Sequence, residues 1–189
     1  MSVVVLPDCP TDCTGVLESV LFSECAPETH FGEIAKLYLW VDSATPPFAS
    51  QAEYDSAAHW ATHISEDGVA VDDIREFIVM GEQAEPEQTE TPISGDRVYI
   101  GSKRFILDLE IDETNDTNYN FLLASECDGQ YKCNYETADG ILYGGYLGLD
   151  VSLKMNQVIP RTRQDIVKIM VKVTWTSKNH PFRQTSPTF

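Results

Sequence analysis

The residues best suited to chemistry fall into four groups. Cys9, Cys13 and Cys25 stand near His30, a set of thiols and an imidazole that could bind zinc. Cys-x3-Cys with one distant third ligand is poor finger spacing, however, and buried or incidental thiols explain the set better. His59 and His63 are spaced i, i+4 in a helical pattern, so both lie on one face. The metalloprotease arrangement needs a glutamate at position 60, where Trp60 stands, and no third ligand follows. The pattern therefore predicts two histidines on an outer helix face. The run Asp112 to Asn118 is rich in carboxylates and amides, but their order is not that of a calcium loop. Helix capping and solvent exposure account for it. Gly144, Gly145 and Gly148 lie between two strand patterns with no helix start after them, which predicts turns or bulges rather than a phosphate cradle. A nucleophile elbow, a Walker A loop and a dinucleotide fingerprint are all absent. The expectation is a chain without catalytic residues, cofactor or bound metal.

Composition narrows the class. The 189 residues suffice for one good core, and hydrophobic and charged fractions of 42% and 23% are ordinary for a globular protein. The charge balance is not ordinary: 13 Lys/Arg against 30 Asp/Glu leave a net charge of −17. The excess is one-sided, with 3 basic and 19 acidic residues in 1–100 against 10 and 11 in 101–189. Loose binding to nucleic acid by phosphate neutralisation is disfavoured, although an acidic face lets DNA slide past without sticking. No apolar run approaches the length of a membrane span. The run Val3 to Leu6 is too short for a signal sequence and lacks a basic flank, so folding in a cytoplasm with reduced thiols is expected.

The elements that must position these groups can be read in order. Residues 1–30 form an extended N-terminal arm with three cysteines. Ile34 to Val41 predicts a strand buried on both faces. Ser50 and Glu53 make a capping box for a helix whose stripe is Ala57, Trp60, Ala61 and Ile64, ending at Gly68. Ile74 to Met80 predicts a second strand. The acidic, proline-containing segment 81–95 reads as a mobile surface loop able to contact a neighbouring subunit, through Gly81, Glu85, Glu87, Glu90 and Gly95. Phe105, Leu107, Leu109 and Ile111 then alternate with Ile106, Asp108, Glu110 and Asp112, which predicts one apolar face and one carboxylate ladder. A short helix follows around Phe121 to Leu123. Alternating segments recur after it, with Trp175 in the last, and the polar residues 179–189 read as a C-terminal tail that docks or stays loose. Recurrent alternation predicts a β-rich α+β protein: an antiparallel β-sandwich or barrel over 31–178, with one or two flanking helices.

The run IDETNDTNYNFLLASECDGQYKCNYETADGILYGG (111–145), the Ile159-Pro160-Arg161 turn and the Trp-containing last strand resemble structural proteins of tailed bacteriophages. The likeness is to major tail proteins of phages and prophages of Bacteroides-type hosts. GEIAKLYLW (32–40) and DDIREFIVMGEQAEPEQTETPISG (72–95) extend it, so that it spans about 31–187. The resemblance implies a non-enzymatic virion subunit made in the host bacterial cytoplasm, a tail-tube or tail-ring protein that assembles with copies of itself and other virion proteins. Such subunits surround a channel through which DNA passes with transient, non-specific contact, and Asp108, Glu110 and Asp112 are its candidate channel-facing carboxylates. A capsid auxiliary, head-decoration or neck-ring protein is the alternative within the particle. A glycan-binding receptor module is the alternative from another class, since exposed aromatics on β-sandwiches serve that role.

Overall fold

A computed structural model describes residues 32–43, 45–64, 73–93, 97–126, 130–162 and 165–187. Cys9, Cys13, Cys25 and His30, with the expected arm 1–30, lie outside the described residues, as do Gly68 and Gly95. In chain order the elements are β1 (Ile34–Val41), α1 (Gln51–Tyr54), α2 (Ala57–His63), β2 (Arg75–Gln83), β3 (Glu87–Ile93), β4 (Arg97–Ile111), α3 (Asp116–Ser125), β5 (Tyr131–Thr137), β6 (Ile141–Tyr143), β7 (Leu149–Val158), β8 (Lys168–Ser177) and β9 (Arg183–Thr185).

Six of these strands close into an antiparallel barrel in the order β1-β2-β4-β8-β7-β5, with β5 returning to β1. The closing ladder runs from Ile34↔Thr137 to Val41↔Tyr131. The fold is thus the expected β-rich one, in its barrel form. Alternation in the barrel strands decides what points inward. Leu37, Leu39, Phe105, Leu107, Leu109, Cys133, Ile169 and Val173 are at most 1% exposed and fill the interior. The interior is a packed core and not a passage. Helix α3, entered through the Asn115 cap, adds Leu122 to that core, and its Phe121 packs on Phe77 at 4.9 Å between ring centres.

A second cluster lies on the outside of β1. Tyr38, Trp40, Phe48, Tyr54, Trp60, Ile74 and Leu142 are all buried, which explains why β1 carries large side chains on both faces. The helix expected here is broken in two. Ser50 caps α1 by accepting from Glu53 N, and Ser56 restarts the chain as the cap of α2 by accepting from His59 N. The break lets the Trp60 indole N–H donate to the Tyr54 carbonyl at 2.6 Å. Among α2 residues only Trp60 is fully buried, and Ala57 and Ala61 face solvent instead of extending the stripe. His59 and His63 are half-buried rather than on an outer face. Their rings lie 4.6 Å apart, and both pack against Phe48.

The glycines at 144, 145 and 148 interrupt a strand, as their flanks suggest. β6 pairs Tyr135 with Tyr143, and β7 resumes along the same edge of β5 at Cys133↔Leu149. Residues 144–148 bulge out between, with all three glycines at positive φ. A side chain at Gly144 would collide with Asn134, and one at Gly148 with Trp40.

Of the two expectations for the C-terminal tail, docking or staying loose, the structure shows docking: residues 183–185 fold back as β9 on β6, from Tyr143↔Arg183 to Ile141↔Thr185. Ser186 is buried and donates to Glu136 Oε2 at 2.6 Å, and the Tyr38 hydroxyl donates to the same oxygen at 3.0 Å. Glu136 and Asn134, polar residues on the outer face of β5, are therefore buried under the C-terminal strap and α1.

Burial pushes the Tyr54 and Tyr135 hydroxyls and the Cys133 thiol well above their ordinary values. Well below about pH 8 all three groups are uncharged in folded and unfolded chains alike, and their contribution to stability is constant. As pH rises through their ordinary values, the thiol's first and then the tyrosines', the unfolded chain ionises while the folded one cannot, so stability falls. The denaturation midpoint should be flat from neutral pH to about 8 and drop steeply by about 11, with the Tyr54 and Tyr135 share of tyrosinate absorbance appearing together with unfolding. Tyrosinate absorbance from all tyrosines in a still-folded protein would contradict the burial.

Candidate assembly surface

The segment expected to be an acidic loop is instead the outer part of a long hairpin. β2 and β3 lie end to end along β4. Pairing runs from Met80↔Glu110 to Gln83↔Leu107, continues through Ala84 N–H to Ile106 O at 3.1 Å, and resumes from Glu87↔Arg104 to Ile93↔Arg97. Residues 87–93 lack the apolar alternation of a half-buried strand, and Gln88, Glu90, Pro92 and Ile93 are all exposed. The β4 partner carries the strand signal, with Val98, Tyr99 and Ile100 in succession.

Of the residues assigned to the loop, all but Gly95 fall within the described residues. Gly81 lies within β2 opposite Leu109, where a Cβ would collide with the Asp108 carbonyl oxygen, so it serves close strand approach. Glu85 is exposed in the short break between β2 and β3. Glu87 lies across from Arg104, with 3.6 Å between their charged groups. Glu90 is exposed on β3.

The two edges of this arm differ. β8 ends against β4 at Lys103↔Ser177, so β4 residues 97–102 run on without a partner on that side among the described residues. The other edge, on β3, carries Glu87, Glu90 and Pro92, the charges and missing N–H that discourage strand addition. One edge is blunted and one is left open.

The carboxylate ladder of β4 is on the outer face of the barrel, and it is not bare. Asp108 meets Lys172 at 3.1 Å and Glu110 meets Lys168 at 2.5 Å, both lysines on the adjacent β8. Hydrogen bonding to Glu110 and then its charge raise the Lys168 pKa. Asp112 is exposed at the end of the strand. The ladder is thus a mixed-charge stripe, and the alternation of β4 could not show it because the lysines are about 60 residues away in sequence.

The groups singled out for metal chemistry do not converge: among the described residues no cluster of three His, Cys, Asp or Glu side chains is placed to hold an ion. No helix among them is long and apolar enough to cross a membrane. Trp40, Trp60 and Trp175 are at most 5% exposed and belong to the core. No family model matches the chain, and no curated protein matches it.

Reversing the ladder should cost more than neutralising it. Asp108→Asn with Glu110→Gln removes two solvent-screened pairs and so costs little, whereas the Lys versions add repulsion against Lys168 and Lys172. Urea midpoints should fall in the order wild type, Asn/Gln, Lys/Lys, and salt should narrow the last gap. Equal midpoints for all three would show that the pairs carry no stability.

Proposed function

We propose that this protein is a non-enzymatic structural subunit of a tailed-phage virion, a tail-tube or tail-ring protein that assembles with its own copies around a DNA path. The observation that carries this reading is the open β4 edge at 97–102, on an arm whose described β3 residues Glu87, Gln88, Glu90, Pro92 and Ile93 are exposed. A two-stranded ribbon is marginal in water by itself, and an unpaired edge of β-branched and aromatic residues is a template for another strand. A neighbour that pairs with it satisfies its backbone groups and sets the geometry of the next subunit. The filled barrel fits this role: a DNA path would run between copies and not through one. The net charge of −17 would let duplex DNA pass without adhering. The resemblance of 31–187 to phage tail proteins points the same way. Burial of the three tryptophans favours this reading over a glycan-binding one.

The arm can be tested without touching the barrel. Replacing residues 88–103 with a two-residue Asn-Gly turn keeps the 80–83 with 107–110 ladder. Wild-type protein should form rings or tubes in negative-stain electron micrographs. The shortened chain should stay monomeric with an unchanged circular-dichroism spectrum. Persistently monomeric wild-type protein at millimolar concentration would overturn the assembly reading, and labelling confined to capsid faces of an intact particle would overturn the tail station.

A further inference from the structure

The C-terminal strap, residues 181–187, is held differently from the rest of the chain. None of these residues belongs to either hydrophobic cluster, and Phe182, its one large apolar side chain, is 46% exposed. Hydrogen bonds hold it instead. β9 pairs with β6 from Tyr143↔Arg183 to Ile141↔Thr185. Beside that ladder the Gly144 N–H donates to the Phe182 carbonyl at 3.0 Å, and the Ser186 N–H donates to the Gly140 carbonyl at 2.8 Å. From α1, Gln51 Nε2 donates to Gln184 Oε1 at 3.0 Å. Near its end the Ser186 hydroxyl donates to Glu136 Oε2. The root of the strap is anchored by ring packing: His180 meets Phe105 edge-to-face at 5.4 Å, and its Nε2 lies 3.3 Å from Lys103 Nζ.

We propose that the strap is an autoinhibitory cover, which opens as a unit about its His180 root while the barrel stays closed, and so bares the edge of β6. Two observations support it. The first is the absence of strap residues from the core. An element held by hydrogen bonds exchanges each of them for one to water when it leaves, so it opens far more readily than the barrel, whose opening exposes apolar surface. The second is the polarity of the seat. Ser186 closes over Glu136, a carboxylate only 2% exposed, to which the Tyr38 hydroxyl also donates. Burying a carboxylate is costly, and departure of the strap returns it to water, which offsets the bonds lost. With β9 in place, β6 is paired on both sides, to β5 and to β9. With the strap open, the outer side of β6 is an unpaired edge, a template for another strand. The barrel does not depend on that seam, because β6 and β9 lie outside its closed ring.

The test is residue-resolved amide exchange on the full-length chain by NMR. The Ser186 amide on the strap and the Gly144 amide on the β6 side donate across the seam, so one opening frees both. They should show one common protection factor, at least a hundredfold below that of barrel amides at 105–111. Ser186→Ala removes the hydroxyl from Glu136, and it should lower protection of both seam amides at least tenfold while the barrel amides and the thermal midpoint stay as in the wild type. Seam amides protected as strongly as the barrel would overturn the cover. Unequal protection at 144 and 186 would overturn opening as a unit, and loss of protection by Ser186→Ala equally in seam and barrel would make the strap part of the barrel's own unfolding and overturn the proposal.

Discussion

The pairing of β1 with β5 is the constraint on which the rest of this structure depends. It joins strands about a hundred residues apart and turns an open sheet into a closed barrel. Closure gives β1 a neighbour on each side, removes the two edges that an open six-stranded sheet would expose, and buries one complete set of alternating side chains. It also decides where edges remain. Among the described strands, β3 with the first part of β4, and the short β6 and β9, lie outside the closed ring. The C-terminal strap covers β6, and outer edges are left on the short β9 and on the hairpin arm.

Burial on the outside of β1 and β5 follows from the same closure. These two strands meet side by side, and their outer faces present Tyr38, Trp40, Asn134 and Glu136 together. The aromatic cluster under α1 and α2 covers one part, and β9 covers the other. A buried carboxylate is tolerable because two hydroxyls donate to it. Asn134 is held by donating to the Tyr54 hydroxyl and the Gly145 carbonyl. The polar contacts thus hold the strap and the glycine bulge in place, which makes the C-terminus part of the barrel's own cover.

Much of the architecture was legible where alternation was strong. β4, β7 and β8 show period two with their apolar sides inward, and each buries the face expected. The three glycines of the bulge were legible from the strands around them. The burial of Asn134 and Glu136 was not legible, because beside Lys132 on one face of β5 they look like a solvated side and only long-range packing buries them. The single helix was misread because Ser56 is a cap as good as Ser50, and Trp60 draws the chain into a second start. The hairpin arm was hidden for a different reason. Glu87, Gln88, Glu90, Pro92 and Ile93 of β3 are exposed, so hydrophobic periodicity has no hold on it; only the sequence of the partner strand marks it. The candidate interface lay within the segment first read as a contact loop, although as strand rather than loop. The pairing of its carboxylate ladder with lysines was invisible without the fold.

The account rests on the open edge of β4 being completed by another copy. Backbone amide exchange reports that directly. Deuterium uptake at residues 97–102 should be fast in dilute, monomeric protein and slow by at least a hundredfold once the protein has assembled, while barrel amides at 105–111 remain protected in both states. Equally fast exchange at 97–102 in assembled and monomeric protein would contradict it.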